Sequence, residues 1–218
     1  MQIAIGLFPA FTALDAIGPY QVFSQLPEAE VILCASEKGE VADDNGLLSL
    51  NIAHTFDEVD SPDIIVVPGG FITRKLARDG HPIVDWAARV HPQTTYTTSV
   101  CTGALLLGAA GLLDGLDATT HWCAYDELAK YGATPTEQRV VGRGKIWTAA
   151  GVSAGIDLAL TLVAEIHGAD VSRAIQLAIE YDPQPPYDSG APSKAPAEIV
   201  ELVRSISAGK EAAVLAAD

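Results

Sequence analysis

The chain has 218 residues, of which 49% are hydrophobic and 19% charged, and its formal net charge is −15. So few lysines and arginines argue against a nucleic-acid partner and against an anionic membrane surface, because both require a basic face. The length suits one well-packed domain, and we expect the acidic surface to keep it soluble.

The cysteines and the apolar segments predict a cytoplasmic protein. Cys34, Cys101 and Cys123 are irregularly spaced, which favours neither a disulfide framework nor a zinc site. The first eight residues lack the basic leader of a signal peptide. The apolar stretch 104–113 is too short and too interrupted by glycine to span a bilayer. In a reducing cytoplasm a free thiol persists.

Strand-like and helix-like segments alternate along the chain, which is typical of an α/β fold with a doubly wound, mostly parallel, flavodoxin-like sheet between helices. We predict strands at 3–8, 30–35, 47–52, 63–67 and 95–100, with 47–52 at an edge or in a hairpin, and a hairpin that pairs 140–141 with 146–149. Helices are predicted at 14–26, 83–90, 102–113, 153–167 and 171–181. Because proline is tolerated in a first turn, the first helix is expected to become regular near Pro19.

The C-terminal part differs in composition from the rest. Residues 182–196 contain five prolines and little apolar periodicity. We interpret this segment as an extended arm, and residues after it as a short helix-like tail, because proline prevents regular structure here. The predicted organisation is therefore a domain at 1–181 and an arm with a tail at 182–218, packed on the same domain or on a dimer partner.

The segment 99–104, Ser-Val-Cys-Thr-Gly-Ala, places Cys101 between a buried strand and a helix. This order resembles the nucleophile elbow of hydrolases, with Cys in place of Ser. A helix N-terminus offers unpaired N–H groups and a positive dipole end, so we expect it to lower the pKa of the thiol. We predict that Cys101 is a nucleophile. The alternative, a small buried hydrophobe, is our interpretation of Cys34 and Cys123.

Two further features follow predicted strands, where open α/β sheets bind ligands. Gly69 and Gly70 come after the strand 63–67, and N–H groups there could face a bound anion, although an ordinary turn has the same sequence. Asp15 is a lone acid among apolar residues after the first strand. Such surroundings raise the pKa of a carboxyl and suit it to proton transfer near neutrality, whereas a helix N-cap before Pro19 is the alternative.

Taken in order, five motifs resemble the DJ-1/PfpI superfamily, which has the class I glutamine amidotransferase-like fold, and within it the isocyanide hydratase branch. The motifs are residues 14–19, 67–70, 98–103, 118–122 and 151–157. The resemblance implies that Cys101 is the nucleophile and that Asp15 is the acid hydrogen-bonded to it. It also implies that the N–H groups of Gly70 and Thr102 form the anion-stabilising site.

Thr102 distinguishes this chain from other branches. Amidotransferases and PfpI-type proteases typically have His at that position, so the resemblance argues against peptidase or glutaminase chemistry. His121 is a candidate base, but we interpret it as a wall of the pocket because Asp15 can already serve.

The reaction that the resemblance implies is hydration of a small-molecule isocyanide to an N-substituted formamide through a thioimidate on Cys101. No metal or organic cofactor is implied, and a homodimer is. One alternative is a sensor domain related to AraC-type transcription regulators, which would need a separate DNA-binding partner. Another is a glyoxalase or protein-repair hydrolase, whose members generally carry Glu where this chain has Asp15.

Overall fold

A seven-stranded sheet forms the centre of the fold in the computed structural model, which describes residues 1–216. The strands are β1 (Gln2–Gly6), β2 (Glu30–Ala35), β3 (Gly39–Ala42), β4 (Ser49–Ile52), β5 (His54–Thr55), β6 (Ile64–Val67), β7 (Tyr96–Val100), β8 (Asp117–Ala118), β9 (Thr134–Pro135), β10 (Val140–Arg143) and β11 (Ile146–Ala149). The central sheet has the order β10-β11-β7-β6-β1-β2-β5, and every pair except β10–β11 is parallel.

Helices cover this sheet. They are α1 (Ala13–Phe23), α2 (Thr73–Asp79), α3 (Pro82–Val90), α4 (Gly103–Ala109), α5 (Tyr125–Ala129), α6 (Ala154–His167), α7 (Ala169–Ala178) and α8 (Ala197–Leu215), with short 3₁₀ turns at Phe56–Glu58 and Trp122–Ala124. α1 packs against α6, while α3 packs against α4. The predicted α/β class and mostly parallel sheet are confirmed.

The direction in which strands are added to the sheet reverses after β2, because β6 pairs on the other side of β1. This switch point positions the site. β1 pairs with β2 on one side and with β6 on the other. Right-handed crossovers on the two sides of this switch place α1 on one face of the sheet and α3 on the other, and the loops after β1, β6 and β7 open at one carboxyl edge. All four residues of β6 are buried, because a parallel strand covered on both faces reads as a continuous apolar run.

The first helix starts earlier than predicted: α1 begins at Ala13, and Pro19 lies inside it. Tight packing on α6 accounts for this. A Cβ added at Gly18 would lie 3.1 Å from Cγ1 of Ile156, and one added at Gly155 would lie 3.1 Å from the Pro19 ring. Contacts with a second helix thus offset the hydrogen bond that proline removes, which local propensity alone does not reveal.

The tail also differs from its prediction. Residues 182–196 contain neither helix nor strand, and the helix that follows them, α8, has 19 residues, longer than the short helix-like tail that was predicted. Its sequence is rich in Ala and Glu, which are strong helix formers, and it begins directly after Pro196. No helix among residues 1–216 is long and apolar enough to cross a membrane.

Candidate active site

Cys101 lies on a strained turn between β7 and α4. Its φ is 56°, in the left-handed region that non-glycine residues rarely occupy, and it is 6% exposed. Its N–H donates to the carbonyls of Ala149 and Ala150, which fix the turn. A Cβ added at Gly103 would lie 2.1 Å from the Val67 carbonyl oxygen, so only glycine allows α4 to approach β6 this closely. This geometry is that of a nucleophile elbow.

Asp15 lies beside this thiol in the first turn of α1, and it is fully buried. Its Oδ2 accepts the N–H of Gly69 at 2.9 Å. Oδ1 is buried without a hydrogen-bond partner of its own among the described residues, and the carboxyl interacts with the Cys101 thiol. Thr12, not Asp15, holds the N-cap position, so the N-cap alternative is wrong.

Burial controls the protonation of both groups. It raises the pKa of Asp15 to about 8, against the opposing hydrogen bond from the Gly69 N–H. Burial, followed by the nearby Asp15 carboxyl, also raises the pKa of the Cys101 thiol well above its usual value. The expected lowering at a helix N-terminus is wrong in net direction, because the loss of water outweighs the N–H groups at the sulfur. Near neutrality, both groups hold their protons.

Two backbone N–H groups hydrogen-bond to the sulfur, those of Thr102 and Val152, and each acts to lower the thiol pKa. Val152 was not predicted from the sequence. Its φ is 28°, a rare value for a β-branched residue, and it sits in the turn before α6. Residues 151–157 form one of the five motifs, but nothing in a side-chain pattern indicates that a valine contributes its backbone N–H.

Gly70 and Thr102 are joined to each other. The N–H of Gly70 donates to Oγ1 of Thr102 at 3.0 Å, and the Thr102 hydroxyl donates to the Gly70 carbonyl at 3.0 Å. The structure therefore directs the N–H of Thr102 toward the sulfur and pairs the N–H of Gly70 with a hydroxyl. The hydroxyl of Thr102 ties the loop after β6 to the elbow.

A cavity of about 130 Å³ opens onto Cys101. It is lined by Thr12, Asp44, Gly70, Phe71, Arg74, Cys101, Thr102, His121, Cys123, Val152 and Ser207. Most of these residues come from loops at the carboxyl edge of the sheet, whereas Arg74 belongs to α2, Cys123 to a 3₁₀ turn and Ser207 to α8. Asp44 and Arg74 are the charged side chains of this lining, and the others are neutral or apolar. The cavity therefore suits a small and largely apolar molecule.

His121 forms part of the cavity wall, and its Nδ1 accepts the N–H of Cys123 at 3.3 Å. The ring stacks on Trp122, with centroids 5.7 Å apart. Burial and the nearby Arg74 lower the pKa of His121 below its usual value. A neutral ring that accepts at Nδ1 carries its proton on Nε2, so His121 presents a donor rather than a base.

The DJ-1/PfpI family model matches residues 1–165, which include the elbow, Asp15 and Val152. The chain belongs to this family. Isonitrile hydratase of Pseudomonas putida is 43% identical to it over 208 residues, covering 95% of this chain and 90% of that protein. Isonitrile is another word for isocyanide.

Other relatives show how far the family fold extends. The crystal structure of a THiJ/PfpI family protein from Pseudomonas syringae superposes with a TM-score of 0.91 and 37% identity, covering 99% of this chain and 90% of that one. An HTH-type transcriptional regulator of Pseudomonas aeruginosa is 28% identical over 80% of this chain, which spans only 53% of the regulator.

Proposed function

We propose that this protein hydrates isocyanides, converting R–N≡C and water into the formamide R–NH–CHO, with Cys101 as nucleophile and Asp15 as proton carrier. The observation that carries the proposal is a buried carboxylic acid beside a buried thiol, with Thr rather than His at position 102. The similarity to the Pseudomonas putida isonitrile hydratase across 95% of the chain supports the same substrate class.

In the first step the sulfur of Cys101 bonds to the terminal carbon of the isocyanide. Asp15 holds a proton near neutrality, because burial raises its pKa to about 8. The carboxyl delivers that proton to the attacked carbon and takes up the thiol proton, so that an S–H has added across the carbon. The product is a thioimidate, R–N=CH–S–Cys101. The N–H groups of Thr102 and Val152 stabilise the sulfur as negative charge develops on it.

In the second step a water molecule adds to the thioimidate carbon. Asp15, which holds a proton after the first step, gives it to the nitrogen of the substrate and accepts one from that water. Collapse of the adduct breaks the C–S bond, releases the formamide and returns a proton to the sulfur. All atoms of the water are thereby placed. Its oxygen becomes the formyl oxygen, and its two hydrogens balance the one gained by nitrogen and the one returned to the thiol.

We also propose that the protein is a cytoplasmic homodimer. Its three cysteines are all free thiols, which suits a reducing compartment. Ile199, Leu202 and Ile206 of α8 are 41%, 54% and 50% exposed at helical spacing, an apolar face that a second copy would cover. Sedimentation at micromolar concentration tests this, and a species of 22.8 kDa alone would exclude it.

Turnover in isotopically labelled water tests the proposed reaction. With an aryl isocyanide, H₂¹⁸O should label the formamide oxygen, and D₂O should place deuterium on the formyl carbon, because the Asp15 and Cys101 protons exchange with solvent. Mass spectrometry reads both. Methylglyoxal is the comparison substrate. Its turnover without any formamide product would refute isocyanide hydration and favour the glyoxalase alternative. The regulator alternative predicts binding of a small molecule without turnover of either compound.

A further inference from the structure

One wall of the catalytic cavity comes from beyond the region that the family model matches. That match ends at residue 165, yet Ser207 of α8 lines the cavity together with Cys101. The Ser207 hydroxyl oxygen lies 3.9 Å from Sγ of Cys123, another residue of the wall. A helix outside the matched region thus limits the space of the cavity that opens onto Cys101.

The stripe of α8 that faces the domain is regular. Its partly buried positions recur at intervals of three and four residues and are Val200, Val203, Ser207, Glu211 and Val214. Such spacing places them on one side of a helix. Ser207 stands in the middle of this stripe, so its side chain is directed toward the domain and not toward solvent.

Contacts on both sides of Ser207 hold the helix in register. Toward its N-terminal end, the Arg204 guanidinium lies 5.0 Å from the ring centroid of Trp122. Toward its C-terminal end, Oε1 of Glu211 lies 3.0 Å from Nε of Arg74, itself a cavity residue. Because these anchors bracket position 207, α8 cannot slide without breaking one of them.

We propose that Ser207 determines how large an N-substituent the cavity admits. This inference rests on the proposed isocyanide hydration and names the part of the substrate that α8 selects. The C–N≡C unit of an isocyanide is linear, so the substituent extends directly away from the carbon that the Cys101 sulfur attacks and toward the cavity walls. Serine leaves space there that a larger side chain would fill.

The size of the cavity makes such a filter effective. Cys101 is 6% exposed, so a substrate must enter the cavity of about 130 Å³ to reach the sulfur. Protein interiors resist overpacking, and a pocket distinguishes substrates that differ by one methylene by roughly 10- to 200-fold. A side chain larger by several heavy atoms at position 207 should therefore lower kcat/KM for large isocyanides much more than for small ones.

Kinetics with two isocyanides test the proposal on the intact enzyme. In Ser207→Leu, we expect kcat/KM for cyclohexyl isocyanide to fall by at least about tenfold relative to kcat/KM for methyl isocyanide. Ser205→Leu is the matched control, since Ser205 is exposed on the same helix and has the same helix propensity change. Its ratio should equal that of the wild type.

Alkylation of Cys101 tests the wall without any reference to hydration. The rates with iodoacetamide and with the bulkier N-phenylmaleimide are measured by mapping the peptide that contains Cys101, and their ratio cancels changes in thiol reactivity. Ser207→Leu should lower the relative rate of the bulky reagent at least about fivefold, and Ser207→Ala should raise it. If the alkylation rates change in this way but no isocyanide is hydrated, then Ser207 limits the size of molecules that reach Cys101 and the proposed function is wrong.

A variant that detaches α8 completes the design. Glu211→Arg places a like charge beside Arg74, so α8 should move away from the cavity. The rate of Cys101 alkylation by N-phenylmaleimide should then rise relative to the rate with iodoacetamide. Equal alkylation ratios in Ser207→Leu, Ser205→Leu and the wild type would overturn the proposal. A higher relative rate of alkylation by N-phenylmaleimide in Ser207→Leu would also overturn it, because a larger side chain at position 207 would then not narrow the cavity.

Discussion

The catalytic cavity has two walls that are held in place in opposite ways. The elbow at Cys101 and the carboxyl of Asp15 are buried, and their geometry depends on strained backbone and on close glycine contacts. α8 contributes no buried residue along its length and is attached by an ion pair and by cation–π contacts. Partly exposed ion pairs contribute about 0–1 kcal/mol each. The proposed reacting groups therefore sit on the rigid part of the cavity, whereas the part proposed to set the size of the substrate can change at little cost in stability.

The largest effect should come from the rigid wall. Cys101→Ala removes the proposed nucleophile, so we expect turnover to fall by at least about a thousandfold while the circular dichroism spectrum stays native. Cys101→Ser should be nearly as inactive, because a hydroxyl ionises far less than a thiol. Cys34→Ala is the matched control: Cys34 is buried in β2, and its loss should leave turnover near wild type. Wild-type turnover by Cys101→Ala would disprove the mechanism.

Asp15→Asn keeps the shape of the side chain but removes the transferable proton. We expect turnover to fall by at least about a hundredfold, the usual scale for a general acid. Asp44→Asn is the informative comparison, because Asp44 also lines the cavity and its charge helps to raise the pKa of Asp15. A greater loss in Asp44→Asn than in Asp15→Asn would assign proton transfer to the other carboxylate. Full activity of Asp15→Asn would leave His121 as the first alternative.

Thr102→Val should have an intermediate effect, which steady-state kinetics and urea unfolding can measure. It keeps the N–H that faces the sulfur but deletes the hydroxyl that bonds to both backbone groups of Gly70. We expect roughly a 10- to 100-fold loss of kcat/KM and a loss of stability of about 1–3 kcal/mol, because the Gly70 N–H is left buried without a partner. Thr102→Ser restores the hydroxyl and should recover both. Unchanged kinetics in Thr102→Val would show that the loop keeps its position without this bond.

The burial of Asp15 predicts a pH dependence of stability. Its pKa is about 8 in the folded protein and near 3.8 when exposed, so between these values the folded state binds more protons than the unfolded state. Stability therefore falls as pH rises through this window, by at most about 1.4 kcal/mol per pH unit for one group. Urea unfolding between pH 5 and 7 should show that Asp15→Asn lacks this slope, whereas Asp188→Asn, an exposed carboxylate, keeps it. Parallel curves for all three proteins would contradict the raised pKa.

The smallest effect belongs to the adjustable wall. Glu211→Gln weakens the contact with Arg74, and we expect it to change the free energy of unfolding by less than about 1 kcal/mol. Hydrogen exchange should nevertheless become faster in α8 while β6 and β7 stay protected, because local opening does not require the core to unfold. Equal acceleration in the central strands would show that α8 unfolds together with the core, and the two walls would then not differ as proposed.

The hydrophobic periodicity of the sequence was sufficient to predict the central strands and most of the long helices. Continuous apolar runs such as 63–67 indicated buried parallel strands, since both faces of the sheet are covered. Short elements at edges, such as β5 and β8, were missed because two residues carry no periodic signal. The start of α1 was missed because packing of Pro19 on α6 overrides the local preference of proline.

The amino-acid sequence by itself determined the α/β class, the cysteine at a strand–helix turn and the lone acid after the first strand, because hydrophobic pattern and residue chemistry are local properties. Only the tertiary structure decided the sign of the Cys101 pKa shift, the approach of the Val152 N–H to the sulfur and the place of Ser207 in the wall of the same cavity. Each of these depends on how water is excluded and on contacts between residues that are far apart in the chain, which no local pattern contains.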